Sequence, residues 1–380
     1  MPGDEVDGTP EGPGRRSRVL VFGTYDSQAH PRVQVVIDGL RAHGVEVEEC
    51  NAPLGLDTAA RVALLRQPWK VPGFGLRLFR LWAGLWRRGG AARPADAVLV
   101  PYLAHFDIHL ARARFRRTPL ILDHFISGSD TARDRGVSGP IRERILTLVD
   151  QAALRAATVV MLDTEEHLRL MPEWAQPKGI VVLIGAPDEW VAPPRPAYDG
   201  SRPLQVIFFG LFTPLQGAVV IAEALGQLAD DPTVEVTMAG DGQDLAAAKQ
   251  AAGANRRVTW PGLVPFADMP ALAAQFDVCL GIFSDTPKGR RVVPNKVYQG
   301  IRAGCAIVTS DTTPQRRTLG DLAAYVPPAD PTALAQLLRE LAADPARVAA
   351  LQEASRAASD RFGPAGVVGA LIDWLDGLSA

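Results

Sequence analysis

The stretch VIFFGLFTPLQGAVVIAEAL, residues 206–225, decides the fold class. Its first half is an unbroken apolar run ending at Gly210, and its second half carries apolar residues at helical spacing. Between them Thr213-Pro214 reads as a helix start, Thr as the cap and Pro at the first position. A strand buried on both faces, a tight Gly turn and a helix make the repeating unit of a parallel α/β sheet.

The same alternation runs outward in both directions. Upstream, apolar strand runs fall at 18–23 (RVLVFG), 96–101 (DAVLVP), 119–123 (PLILD), 158–162 (TVVML) and 179–184 (GIVVLI), and VEVEEC follows the helical pattern RVQVVIDGLRAHG. Downstream come LQVIFF, VEVTMAG, RVTW, DVCLGIF and CAIVTS, with helical patterns between them. A Pro-rich segment, 189–203, separates the two series and reads as a linker. Two doubly wound α/β domains in tandem follow, with ligands expected at the carboxyl ends of the strands and in the cleft between domains.

Composition narrows the function. With 380 residues, 47% hydrophobic, 22% charged and a net charge of −2, the chain is globular and lacks the basic field of a nucleic-acid binder. Three cysteines, far apart, argue against a disulfide framework and for a reducing compartment. Residues 1–16, rich in Pro, Gly and acids, read as a disordered tail without a signal-peptide core. No apolar run is long enough to span a membrane.

Two stretches invite an anion. The turn after Gly210, with Gly217 open to close approach, is a strand–loop–helix phosphate site in outline. The second, KGRRVVPNKVYQG (288–300), brings Lys288, Arg290, Arg291 and Lys296 to the start of a helix expected from Pro294, where Val293 offers no capping oxygen. Positive charge at the positive end of a helix is unfavourable unless an anion joins it. A diphosphate would satisfy both amides and cations.

FFGLFTPLQG, MAGDG, VTWPGLVPFADMPALAAQFDVCLGIF and RVVPNKVYQGIRAGCAIVTSD, in this order, resemble the nucleotide-sugar domain of GT-B glycosyltransferases, nearest the retaining family GT4. GTYDSQAHPRVQVVIDGL, DHFISGSDTARDR and LDTEEH resemble the first domain of a bacterial subgroup. The resemblance covers residues 18 to about 365. It implies two Rossmann-like doubly wound domains facing a cleft: 17–188 on the acceptor side, 204–362 for the nucleotide sugar, and a terminal helix (363–380) placed to cross back.

The resemblance implies glycosyl transfer from a nucleoside-diphosphate sugar, UDP or GDP, to an acceptor hydroxyl on a glycan, a lipid carrier or a small natural product. Retention and independence of metal are expected, with no cofactor. Donor-binding residues would be Gly210, Thr213, Gly217, Gly240, Asp241, Leu263, Val264, Lys288, Arg290, Asn295 and Gln299. Lys296, Arg291, His124 and Asp123 would be catalytic, and Thr24, Tyr25, Arg32 and Ser127 would face the acceptor. The family's paired acids are replaced by Arg291 and Gln299, and its first-loop cations by Phe212 and Gln216. The cations at 288–296 would then take over the diphosphate. Those replacements keep open one alternative, a non-catalytic partner that binds nucleotide sugar; a second alternative, a sugar-nucleotide epimerase or hydrolase, usually needs acids in the cleft that this pattern does not supply.

Residues 58–95 hold cations and no acid, and WKVPGFGLRLFRLWAGLWRR interleaves them with aromatics. Leu78, Trp82, Leu85 and Trp86 share a helical face. Residues 69–88 therefore read either as a core helix or as a contact with an anionic membrane surface. The expected location is cytoplasmic, with peripheral contact at the inner membrane face.

Overall fold

The computed structural model describes residues 17–26, 30–55, 71–102, 104–124 and 139–378. The tail 1–16, Ser127 and the first residues of the basic aromatic segment lie outside them. The first sheet contains β1 (Arg18–Gly23), β2 (Glu46–Asn51), β3 (Ala97–Val100), β4 (Leu120–Asp123), β5 (Val159–Leu162) and β6 (Gly179–Val181). The second contains β7 (Leu204–Leu211), β8 (Val234–Asp241), β9 (Val258–Gly262), β10 (Val278–Leu280), β11 (Ala306–Ser310) and β12 (Ala323–Val326). Strand orders are β2-β1-β3-β4-β5-β6 and β12-β11-β10-β7-β8-β9, all pairs parallel.

The runs of Val, Ile, Leu and Phe become strands because helices cover both faces: β3, β4 and β5 are buried throughout. β12 was not anticipated, since Ala323 and Ala324 give its short run little β-branched character. The strand orders reverse between β1 and β3 and between β7 and β10. A crevice opens at such a reversal, on the carboxyl side.

The Pro-rich segment is a strap packed on the second domain. Trp190 is buried and stacks on Phe209, ring centroids 5.5 Å apart. Tyr198 donates its hydroxyl to the Ala342 carbonyl at 2.8 Å, and Arg202 makes a two-point pair with buried Asp277 at 2.6 and 2.9 Å. After the second domain the chain returns to the first. Phe362 carbonyl accepts from Ala186 N–H at 2.9 Å, the helix Pro364–Val367 lies on the helix Pro31–Ala42, and Leu371 and Leu375 enter the core beside Val21 and Leu99.

In the basic helix Val71–Ala91, the face expected at a membrane is mostly the core face. Leu85 and Leu78 are buried, and Trp82 donates its indole N–H to Asp107 at 2.7 Å. The outward apolar residues are instead Leu76, Phe79 and Trp86. No helix among the described residues is long and apolar enough to cross a membrane.

Candidate functional site

The second crevice is built around one buried lysine. Lys296 lies in the first turn of the helix Asn295–Arg302, whose entry residue is Pro294 itself, one residue later than expected. Proline's ψ of 151 keeps it outside the helix, and no side chain caps the amides that follow. The ammonium reaches back across the sheet to β7. It sits 3.7 Å from the ring centroid of Phe208 on that strand and donates to Gln216 Oε1 in the turn that follows it. Burial pushes its pKa down to about 7.

Gly210 borders this lysine with a φ of +127, which favours glycine, and a Cβ there would make ordinary contact with the Lys296 ammonium at 3.6 Å. Gly240 and Asp241 end β8 directly beside Gly210 and Leu211. Leu263 and Val264 follow β9, Leu263 exposed and Val264 packed against the core. Gly210, Gly240, Asp241, Leu263, Val264, Asn295 and Lys296 thus line neighbouring carboxyl ends of one sheet. Gln299 is buried one turn further along the helix.

Two details depart from the sequence reading. Thr213 caps no α-helix: residues Pro214–Gln216 form a 3-10 turn, and the helix Ala218–Gln227 starts after Gly217. Gly217 has φ +69, and a Cβ there would come within 2.6 Å of the Ser284 amide. Neighbouring backbone therefore dictates that glycine, and close ligand approach is not needed to explain it.

The remaining cations do not converge on the helix entrance. Residues Gly289–Arg291 form a short 3-10 turn with Lys288 at its start. Arg290 faces Asp285 at 3.4 Å on the surface, and Arg291 Nε donates to the Pro287 carbonyl at 2.7 Å. Of the four, Lys296 is the one that folds inward, because its helix carries it under β7 while the turn holds the others on its rim.

On the first domain most of the expected ligand groups have partners within the fold. Arg32 and Asp123, both 2% exposed, pair at 2.9 Å, and Arg32 also donates to the Val182 and Leu183 carbonyls. Burial raises the Asp123 pKa against the opposing pull of Arg32. Thr24 gives its amide and hydroxyl to Asp107 at 2.6 and 2.7 Å, filling the crevice between β1 and β3. Tyr25 is buried and donates to Glu49 at 2.9 Å. These bonds hold Arg32, Asp123, Thr24 and Tyr25 in place at the carboxyl end of the first sheet. His124 packs edge-on against His105, ring centroids 5.2 Å apart, and His105 pairs with Asp150 at 3.0 Å.

The domain junction holds residues that sequence reading passed over. Buried Asp163 anchors His167 Nδ1 at 2.5 Å, leaving Nε2 as the nitrogen available to a ligand. Thr164 caps the helix Glu165–Leu170, and its hydroxyl also donates to the Arg291 carbonyl at 2.9 Å. Glu166 takes a forked pair from Arg317 at 2.8 and 2.9 Å. The loop carrying the rim cations is thereby tied to the end of β5. The only signal in the sequence was LDTEEH itself, whose partners lie far along the chain. Among the described residues no group of His, Cys, Asp and Glu is placed to hold a metal ion.

Two facing Rossmann-like sheets define the GT-B architecture, and comparison with known proteins agrees. Residues 203–344 match the family model described as glycosyl transferases group 1, so the likeness read from the motifs stands for the second domain. No curated protein sequence matches. Anabaena HepE, solved in complex with UDP, superposes with a TM-score of 0.65 at 15% identity, over 95% of this chain and 100% of that one. Sucrose-phosphate synthase from Thermosynechococcus elongatus gives 0.69 at 15% identity, over 96% and 100%. The UDP-forming trehalose-phosphate synthase from Burkholderia vietnamiensis gives 0.63 at 15%, over 95% and 100%.

Proposed function

We propose that this chain is a glycosyltransferase that receives the diphosphate of a nucleotide sugar on Lys296 and on the uncapped amides at the start of the helix Asn295–Arg302. The observation that carries this reading is a buried ammonium whose partners are a neutral amide and an aromatic ring. Such a site is electrostatically incomplete until an anion enters. As the bond between the anomeric carbon and the diphosphate oxygen breaks, negative charge grows on the leaving oxygen. A fixed cation and oriented amides then stabilise the transition state more than the ground state. The acceptor oxygen forms the new bond to the anomeric carbon, and its proton leaves with the diphosphate.

Gly210, Gly240 and Asp241 would border the donor, with Leu263 and Val264 beside the base and Gln299 toward the ribose. Lys288, Arg290 and Arg291 would attract the donor from the rim. On the opposite wall His124 and the Asp163–His167 pair would meet sugar or acceptor. Retention, independence of metal and a GT4-like subtype belong to the same proposal, and the HepE complexes with UDP and UDP-glucose favour UDP as the carrier.

A thermal-shift series with UDP, GDP, ADP and TDP, each with and without EDTA, tests it. A saturating ligand at about 100 times its Kd adds about 2.7 kcal/mol of stability. Strong stabilisation by one base despite EDTA, lost in Lys296→Met, is the expected result; no response to any of them would sink the reading. The anomeric configuration of the product, read by NMR, tests retention. Arg291 and Gln299, standing where the family has acids, favour one alternative, a non-catalytic nucleotide-sugar binder. Tight binding without turnover on any acceptor would select it.

A further inference from the structure

The first domain carries a surface that transfer chemistry does not require. Three helices, Val71–Ala91, Asp107–Arg114 and Pro140–Ala156, lie side by side on one face of the first sheet. Parallel β-α connectivity puts the start of each at the carboxyl end of the strands, the end that faces the cleft. At that end each leaves large apolar side chains in solvent. They are Leu76 (53% exposed) and Phe79 (67%) on the first, Phe106 (46%) at the entry of the second, and Ile141 (76%) and Ile145 (55%) on the third. Leu148 (57%) continues the last stripe. A soluble protein hides such a row unless something covers it.

Charge says what covers it. Helix Val71–Ala91 contains Arg77, Arg80, Arg87 and Arg88, all exposed, and no acid. At helical spacing Arg80 and Arg87 run beside the row of Leu76, Phe79 and Trp86, so a basic stripe borders an apolar one on the same outward side. Arg116 and Arg117, past the end of the second helix, are exposed as well. Apolar groups flanked by guanidinium groups match the boundary of an anionic bilayer, where acyl chains take the first and headgroup phosphates the second.

We infer that these three helix starts form a membrane-docking surface that seats the first domain on anionic lipid, with the cleft opening toward the headgroups. This does not depend on glycosyl transfer and would hold equally for a non-catalytic nucleotide-sugar binder.

Co-sedimentation of the full chain with sucrose-loaded vesicles tests it, comparing phosphatidylcholine alone with phosphatidylcholine containing phosphatidylglycerol. Binding to the anionic vesicles alone is expected, weakening with added salt. Phe79→Ser with Ile145→Ser should lower the partition coefficient roughly tenfold, and Arg80→Gln with Arg87→Gln should do so by a similar factor. Because all four side chains are exposed, the variants should keep the wild-type Tm. A surface variant such as Arg347→Gln, on the second domain, is the control and should bind like wild type. Equal partition onto neutral and anionic vesicles, no partition onto either, or undiminished binding by both double variants would overturn the proposal. So would concentration-dependent dimers, seen in sedimentation and abolished by Phe79→Ser, which would assign the face to a second copy of the chain.

Discussion

Each domain buries one cation near the carboxyl end of its sheet, and the two are treated in opposite ways. Arg32 in the first domain has Asp123 at 2.9 Å and two backbone carbonyls, so its charge is neutralised within the fold. Lys296 in the second has Gln216 and the face of Phe208, with no carboxylate among the described residues bonded to it. The crevices differ as well: Thr24 and Trp82 both bond Asp107 across the one between β1 and β3, whereas Gly210 and Gly240, both at positive φ, border the one beside β7. A satisfied charge supports structure. An unsatisfied one, retained at a cost to stability, points to a ligand.

The contrast can be broken at either end. Lys296→Met should do the most: transfer is abolished and nucleotide affinity falls about ten- to hundredfold, while Tm rises because a buried ammonium gives way to an apolar chain. Thermal melts with and without UDP read both effects. Arg32→Met should do the reverse, costing about 3–5 kcal/mol of stability by stranding Asp123, and chemical denaturation would measure it. Replacing both Arg32 and Asp123 by apolar residues should recover much of that loss.

Protons sharpen the comparison further. The Lys296 pKa stands at about 7 in the fold against an ordinary 10.5, so between those values the unfolded chain holds a proton that the folded chain lacks. Stability therefore rises with pH across that window, and the penalty is complete below it. An arriving diphosphate favours the charged amine, so UDP binding should take up a proton and weaken as pH climbs above about 7. Calorimetry in two buffers of different ionisation enthalpy would detect the uptake. A smaller effect is expected at the junction. Glu166→Ala removes a partly exposed ion pair worth about 1 kcal/mol or less, and should loosen domain closure with a several-fold loss of affinity. Arg317→Ala should match it if the pair acts as one unit. Smallest of all, Arg290→Ala should change stability by no more than about 0.5 kcal/mol, since its contact with Asp285 lies in solvent.

All strands but β12 were legible, most of them because parallel strands buried on two faces leave continuous apolar runs, and VIFFG is as plain as any. The odd chemistry at Lys296 was legible too: a cation in a first turn without a cap conflicts with local helix preference. Its partners were harder. Gln216 read as a missing cation, yet its amide oxygen is what receives the ammonium. Arg32 and Asp123 both read as cleft groups because each follows a strand or opens a helix at the right end. That they face each other depends on the spacing of β1 and β4 across the sheet, which no periodicity encodes. Glu166 with Arg317 and Thr164 with Arg291 join different domains and left no local trace. Helix Val71–Ala91 showed its amphipathic pattern openly, but both its faces are apolar, and only packing reveals that Leu78 and Leu85 point inward.

The helix Gly369–Asp376 carries a consequence for how the molecule is made. Leu371 and Leu375 complete the core around Val21 and Leu99, so the first domain is assembled from two pieces of chain with the whole second domain between them. On the ribosome the second domain emerges uninterrupted and can fold as soon as it clears the exit. The first domain, although synthesised earlier, must wait for its closing helix. Order of synthesis and order of completion are therefore reversed, and the nascent first sheet stays partly uncovered until that helix arrives.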